Sequence, residues 1–312
     1  MSRPFRFGVM TSGKQTQADW RDFVRRVDSL GYHVLNMPNH RAAPGFSPLV
    51  AMASAAEISD RLRLGTLVLD NESVDPGVIA KDTATLDVLS GGRLEVGIGA
   101  GWLAADHTSI GQPWRGVGER VDRLAEAIEV LKACWSGATA SREGRHFPLD
   151  GVRNDPLPVQ QPGPPLLVGG GGERVLRLAA RTADIVSLVP NMAAGRLGPE
   201  SASDGRGDAT ARKVSWVREA AGERADAIEL HTNLTQVIAT DDRAAGLAKV
   251  KRGYGLETDA DALAVPHAVV GTVAQMAEQL LERRATYGIS YYTVFEAGME
   301  AFAPVLAELS GR

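Results

Sequence analysis

Residues 75–102 read DPGVIAKDTATLDVLSGGRLEVGIGAGW, and this stretch decides the fold. Pro76 suits a first helical turn, and Val78, Ile79, Ala84, Leu86 and Leu89 recur at roughly helical spacing. Ser90-Gly91-Gly92 stops that helix, because glycine takes the left-handed conformation at little cost. Leu94 to Ile98 then reads as a short buried strand. Gly99-Ala100-Gly101 leaves it through residues small enough for a backbone or a ligand to approach closely. Together these make one step of a repeating βα architecture.

The same rhythm extends in both directions. Upstream, Phe5 to Met10 reads as a strand, Asp19 to Leu30 as an amphipathic helix, and His33 to Met37 as a second strand ending in Pro38-Asn39-His40. A helix over 49–58 and a third strand over 62–69 follow. Downstream, Arg120 to Trp135 is a long helix, and 137–155 holds a polar hairpin. Leu166-Leu167-Val168 is the fifth strand, running into Gly169 to Gly172 and a helix over 174–181. The pattern predicts strand six over 184–188, a mobile loop over 191–207, a helix over 209–221 and strand seven over 228–237. A helical excursion over 240–266 precedes Thr272, the expected N-cap of a helix over 273–287, and strand eight covers 290–295. Eight units predict an α/β protein with a (β/α)₈ TIM barrel. It would be a single domain over 1–312, with insertions after helix 4 and strand 7.

Composition fits a sizeable core: 44% of the 312 residues are hydrophobic and 23% charged. A net charge of −4 gives no reason to expect nucleic acid or an anionic membrane as partner. Cys134, the single cysteine, excludes an internal disulfide and sits in an apolar helical pattern. With neither a signal-peptide core nor a membrane-spanning run in the sequence, a cytoplasmic enzyme is the default expectation. His33, His146, His231 and His267 have no metal-ligand spacing, and no metal is expected.

Two features carry chemistry on their own. Four glycines between a strand and a helix let backbone N–H groups approach a phosphate, and the helix N-terminus favours its charge. His40, at a strand end, can donate to a carbonyl or move a proton near neutral pH.

LDVLSGGRLEVGIGAGW resembles the strand-four signature of the bacterial luciferase-like flavin and deazaflavin oxidoreductases. PPLLVGGGGERVLRLAARTAD resembles that family's phosphate-binding segment, and EGRHFPLDG is similar to its insertion before strand five. The resemblance implies a luciferase-like barrel whose spelling matches the branch dependent on coenzyme F420. That deazaflavin would exchange hydride with a small organic substrate. Two alternatives stay open: a monooxygenase using reduced FMN and molecular oxygen, and a non-catalytic flavin-binding homologue. A homodimer is also left open.

By the same resemblance, a non-proline cis peptide at Leu67-Val68 would support the ring. Asn39, Gly99 and Gly101 would border the cofactor, and Gly169, Gly170, Gly171 and Gly172 would hold the phosphate. Deazaflavin relatives often carry an Asp-His pair where this chain has Asn39-His40. Asparagine can orient the imidazole but cannot stabilise its positive charge as a carboxylate would. Trp102 stands where sugar-phosphate dehydrogenases of the family have an acidic glutamate, so it is expected to wall the substrate pocket, with His107 near the same mouth. Asp106 reads as a solvated loop residue. Arg41, Arg174 and Arg177 are rim charges that could meet an anionic cofactor tail.

Overall fold

Alternation along Phe5-Arg6-Phe7-Gly8-Val9-Met10 divides the first strand into two faces. Phe5 and Phe7 point out under the helices, where their rings stack at 5.9 Å, while Met10 joins an inner cluster with Val34, Leu67, Leu167, Ile185 and Tyr291. The computed structural model describes residues 3–196 and 198–312; Met1, Ser2 and Leu197, the last within the predicted 191–207 loop, lie outside the described residues.

The barrel strands are β1 (Arg6–Met10), β2 (Val34–Met37), β3 (Arg63–Thr66), β4 (Leu94–Gly99), β5 (Leu166–Gly170), β6 (Ile185–Leu188), β7 (Glu229–Leu234) and β8 (Ile289–Phe295). Each pairs in parallel with its neighbours. Pairing of β8 with β1, from Arg6↔Tyr291 to Met10↔Phe295, and of Leu64 in β3 with Leu94 in β4 closes the ring. Around it lie α1 (Gln17–Ser29), α2 (Pro48–Ala56), α3 (Pro76–Leu89), α4 (Val117–Trp135), α5 (Glu173–Thr182), α6 (Gly207–Ala221), α7 (Val273–Tyr287) and α8 (Met299–Leu309). The expected (β/α)₈ barrel is therefore the observed one.

Local signals act as read. Asp75 caps α3 by accepting from Gly77 N–H at 2.8 Å, Pro76 opens the helix, and Gly91 and Gly92 follow its end with φ of +65° and +82°. Thr272 and Gln275 form a reciprocal capping box on α7. Cys134 is buried in the core, and the 137–155 hairpin pairs Ala140–Arg142 with Leu149–Val152 in antiparallel fashion.

Three expectations need correction. Strand seven does not run unbroken to Val237. It leaves the barrel at Leu234, and Gln236–Ala239 pairs instead with Ala268–Gly271 in a separate parallel ribbon. The break falls where the N–H groups of Thr235 and Gln236 both turn to His267 O, at 2.8 and 3.2 Å. Strand three is likewise interrupted between Thr66 and Leu69, resuming as the short segment Leu69–Asp70 against β4. The predicted mobile loop contains a helix, Pro199–Asp204, tied down by the buried Lys213 of α6. That ammonium donates to Val189 O (3.0 Å) and Asp204 O (2.8 Å) and pairs with the Asp204 carboxylate at 2.5 Å. No described helix is long and apolar enough to cross a membrane.

Candidate functional site

Parallel strands deliver their C-terminal ends to one mouth, and the loops leaving β2, β3 and β4 bring polar side chains together there. After β2, Pro38-Asn39 leads to His40, whose side chain is 25% exposed. Its Nδ1 lies 2.7 Å from Oδ2 of Asp106, which sits in the short helix Ala105–Thr108 beyond β4. The other carboxylate oxygen accepts the N–H groups of Arg41 (2.8 Å) and Ala42 (2.7 Å). Burial pushes the Asp106 carboxyl up. The hydrogen bonds from His40 and the two backbone amides outweigh burial and hold it below the usual carboxylate range. The solvated role expected of Asp106 is thus wrong: it is 3% exposed and fully engaged. A carboxylate accepts hydrogen bonds, so it selects the imidazole form with hydrogen on Nδ1 and leaves Nε2 free.

Asn39 plays no part in orienting that ring. Its Oδ1 accepts from Ser73 Oγ at 3.3 Å and, weakly, from Asp70 N–H at 3.4 Å, joining the β2 end to the β3 end. Trp102 meets His40 edge to face, with ring centres 5.5 Å apart and planes at 89°. His107, expected beside Trp102 in the pocket, is instead 1% exposed behind the wall. Its Nε2 is 2.8 Å from Asp70 Oδ2 without the alignment of a hydrogen bond. Burial pushes the Asp70 carboxyl up. Trp114 packs on the His107 ring at 5.1 Å, and the Arg120 guanidinium covers Trp114 at 3.7 Å. Asp106 and His107, adjacent in sequence, therefore anchor one loop to two different strand ends.

The Leu67-Val68 bond is cis. Glycines in β4 make room for this bulge: a Cβ at Gly97 would fall 2.0 Å from Thr66 O, and one at Gly99 would fall 2.8 Å from Val68. Gly101 combines φ of +70° with a Cβ position 2.7 Å from Asp70 Oδ1, which only glycine accommodates.

The glycine run after β5 divides into two kinds of position. Gly170 and Gly171 serve packing, since added Cβ atoms would come within 2.3 Å of Val175 and 2.5 Å of the Pro190–Asn191 backbone. Gly169 and Gly172 meet nothing nearer than 3.6 and 3.9 Å. Gly172 is the N-cap of α5, whose first N–H groups lack helical partners and favour an anion. The rim arginines are already engaged. Arg174 bonds Asp122 and Gly118 O, Arg177 bonds Glu173 and Glu219, and Arg41 reaches Ser73 O and Gln112.

Sequence reasoning missed Asp106 as the partner of His40, although the Asp-His spelling just past a strand-end glycine exit was a signal. It also missed Asn71, a buried amide at the end of the β3 continuation with neither side-chain atom hydrogen-bonded, for which the sequence offers no cue.

The model of the luciferase-like monooxygenase family matches residues 1–290. An F420-dependent glucose-6-phosphate dehydrogenase of Microbacterium testaceum is 30% identical over 194 residues, covering 59% of this chain and 56% of that one. An FMNH(2)-dependent dimethylsulfone monooxygenase of Pseudomonas putida is 33% identical over 109 residues, covering 35% and 30%. The match thus spans little more than half of the first relative and under a third of the second. The coenzyme F420-dependent tetrahydromethanopterin reductase of Methanopyrus kandleri shares the fold, with a TM-score of 0.76, 16% identity and 98% coverage of both chains. A long-chain alkane monooxygenase gives a TM-score of 0.74 at 15% identity, covering 99% of this chain and 92% of that one. With its barrel and its matched span, the chain belongs to the luciferase-like monooxygenase family, which has F420-dependent and flavin-dependent members.

Proposed function

We propose that the chain is an oxidoreductase that binds coenzyme F420 in the barrel mouth and exchanges a hydride with a small organic substrate. The observation that carries this reading is the His40–Asp106 pair. It supplies from another loop the carboxylate that Asn39 lacks, so the imidazole can hold a proton beside a redox ring. The F420-dependent dehydrogenase also aligns with more of this chain, 59%, than the FMNH(2)-dependent monooxygenase, 35%.

The residues present suit such a cofactor. Gly169 and Gly172 are open, α5 offers unpartnered N–H groups to a phosphate, and the Val68 bulge gives a ring an apolar, half-buried surface. When bound, the deazaflavin supplies hydride chemistry. Nε2 of His40 takes a proton from the substrate or returns it, while Asp106 fixes Nδ1–H and stabilises the charged imidazole. Trp102 cannot transfer protons; it shields the site from water and limits what fits against His40. Leu67, Gly99 and Gly101 shape the floor without reacting.

A second reading, a reduced-FMN monooxygenase, is favoured by the Pseudomonas putida relative. Absorption titrations of the purified chain with F420 and with FMN separate the two. Tighter F420 binding, perturbed in His40→Ala, is the expected result. Tighter FMN binding favours the second reading, and binding of neither overturns both.

A further inference from the structure

The inside of the barrel holds a hydrogen-bond chain that the proposed function does not use. Barrel interiors are ordinarily filled with branched apolar side chains. Here Asn36 of β2, Thr293 of β8, His231 of β7 and Ser187 of β6, none more than 1% exposed, form a continuous polar arc. Asn36 Nδ2 donates to the Tyr291 hydroxyl at 2.9 Å and to Thr293 Oγ1 at 3.0 Å. Thr293 Oγ1 is 2.9 Å from His231 Nε2, and His231 Nδ1 is 2.8 Å from Ser187 Oγ. Gly8 and Gly65 make the space for the Asn36 amide, since Cβ atoms there would approach it to 2.5 and 2.1 Å.

The donor inventory permits a directed chain. Burial, with Arg6 and His267 nearby, lowers the His231 pKa to about 3, so near neutral pH one ring nitrogen donates and the other accepts. An amide NH₂ can only donate. A hydroxyl has two lone pairs and one hydrogen, so Thr293 can accept from Asn36 and still give its own hydrogen to His231 Nε2. The histidine hydrogen then lies on Nδ1 and goes to Ser187 Oγ, leaving the Ser187 hydroxyl hydrogen as the free end of the chain.

That free end lies beside Gly169, near the C-terminal end of β5. A Cβ at Gly169 would sit 3.6 Å from both Ser187 Cβ and Val68 Cγ1, so the missing side chain opens the wall between them. Gly169 and Val68 are both partly exposed.

We propose that Ser187 donates a hydrogen bond to the bound cofactor, and that Asn36, Thr293 and His231 are positioning residues that turn its hydrogen toward the mouth. The proposal rests on the mouth being a redox-cofactor site. It names the ligand group as an acceptor, a carbonyl oxygen or ring nitrogen of the tricyclic system. The opposite polarity, with hydrogen on Nε2, would present a Ser187 lone pair and select a donor.

Two measurements test it. In ¹⁵N spectra of the labelled cofactor-free chain, His231 should be the Nδ1–H tautomer; an Nε2–H tautomer overturns the proposal. In absorption titrations with F420 and FMN, Ser187→Ala should weaken binding of the preferred cofactor about five-fold and shift its bound absorption band. Unchanged affinity and spectrum, with the parent still binding, overturn the proposal and leave the proposed function standing. If the parent binds neither cofactor, the proposed function fails and this role of Ser187 fails with it.

Discussion

The two ends of the barrel share eight strands and treat polar groups in opposite ways. At the N-terminal end Arg6, Arg63, Glu95 and Glu229, all at or next to the first residues of their strands, form a closed set of ion pairs. Arg6 contacts Glu95 at 2.5 Å and Glu229 at 2.6 Å, Arg63 contacts Glu95 at 2.6 Å, and the Arg6 guanidinium lies over the Tyr291 ring at 4.0 Å. Burial pushes the Glu95 carboxyl up, but the two arginines reverse this and hold it below the usual range. At the C-terminal end capacity is left over: a free Nε2 on His40, an unpartnered amide on Asn71 and open glycines after β5. One end uses polarity to fix the barrel, while the other leaves hydrogen-bonding groups unengaged.

The largest effect should come from breaking the saturated end. Glu95→Gln removes the carboxylate shared by the partly buried Arg6 and Arg63, leaving Arg6 only Glu229, and should lower stability by about 2–4 kcal/mol, read from urea denaturation at neutral pH. A loss below about 1 kcal/mol would show that the ion pairs do not fix that end. The parent should also lose stability in acid. A lowered Glu95 pKa stabilises above the ordinary value of 4.5, and that contribution disappears as pH falls through the folded value. His231 and His267 are held neutral, with pKa values of about 3 and about 4 against 6.5 in an open chain. The unfolded chain takes up their protons first, so stability should already decline below about pH 6.5. A flat profile from pH 7 to 4 would contradict these assignments.

At the open end, on the proposed function, Asp106→Asn should reduce the hydride-transfer rate roughly 10- to 100-fold with little change in KM, because an orienting partner is lost while the pocket remains. An unchanged rate would remove Asp106 from the site. Next come the glycines. Gly171→Ala should destabilise the fold by about 1–3 kcal/mol through its clash with backbone, whereas Gly172→Ala should leave stability within about 0.5 kcal/mol and weaken cofactor binding about five-fold. Equal effects of the two on binding alone would mean that the run is not divided between packing and ligand. Smallest of all, Arg174→Gln removes a pair exposed by 59% and 49% and should change stability by less than about 1 kcal/mol. A salt-dependent loss of F420 affinity in this variant would return Arg174 to the cofactor tail.

The barrel was legible because its signals are local. The Asp75 cap, the Gly91-Gly92 stop and the Thr272–Gln275 box each act within one turn of chain. The cis bond at Leu67-Val68 came through resemblance; no periodicity announces it. What sequence hid was long-range pairing. Asp106 reads as a loop carboxylate until the β2 loop, 66 residues earlier, brings His40 to it. Strand seven reads as continuous because Gln236–Ala239 has strand character, and only its partner, Ala268–Gly271, shows that it has left the barrel. The four glycines look alike in sequence, yet Val175 and the Pro190–Asn191 backbone claim two of them.

The neighbouring contacts of Asp106 and His107 constrain any redesign of the mouth. Deleting one residue between Trp102 and Ala105 would present an imidazole to His40, inserting one would present a carboxylate to Asp70, and either way both anchors would be lost together. The length of this loop therefore behaves like a reading frame. New substrate contacts are better introduced by replacing side chains on it, or by altering the 191–196 segment, where a Cβ added at Gly195 would lie 3.5 Å from the Ala104 side chain.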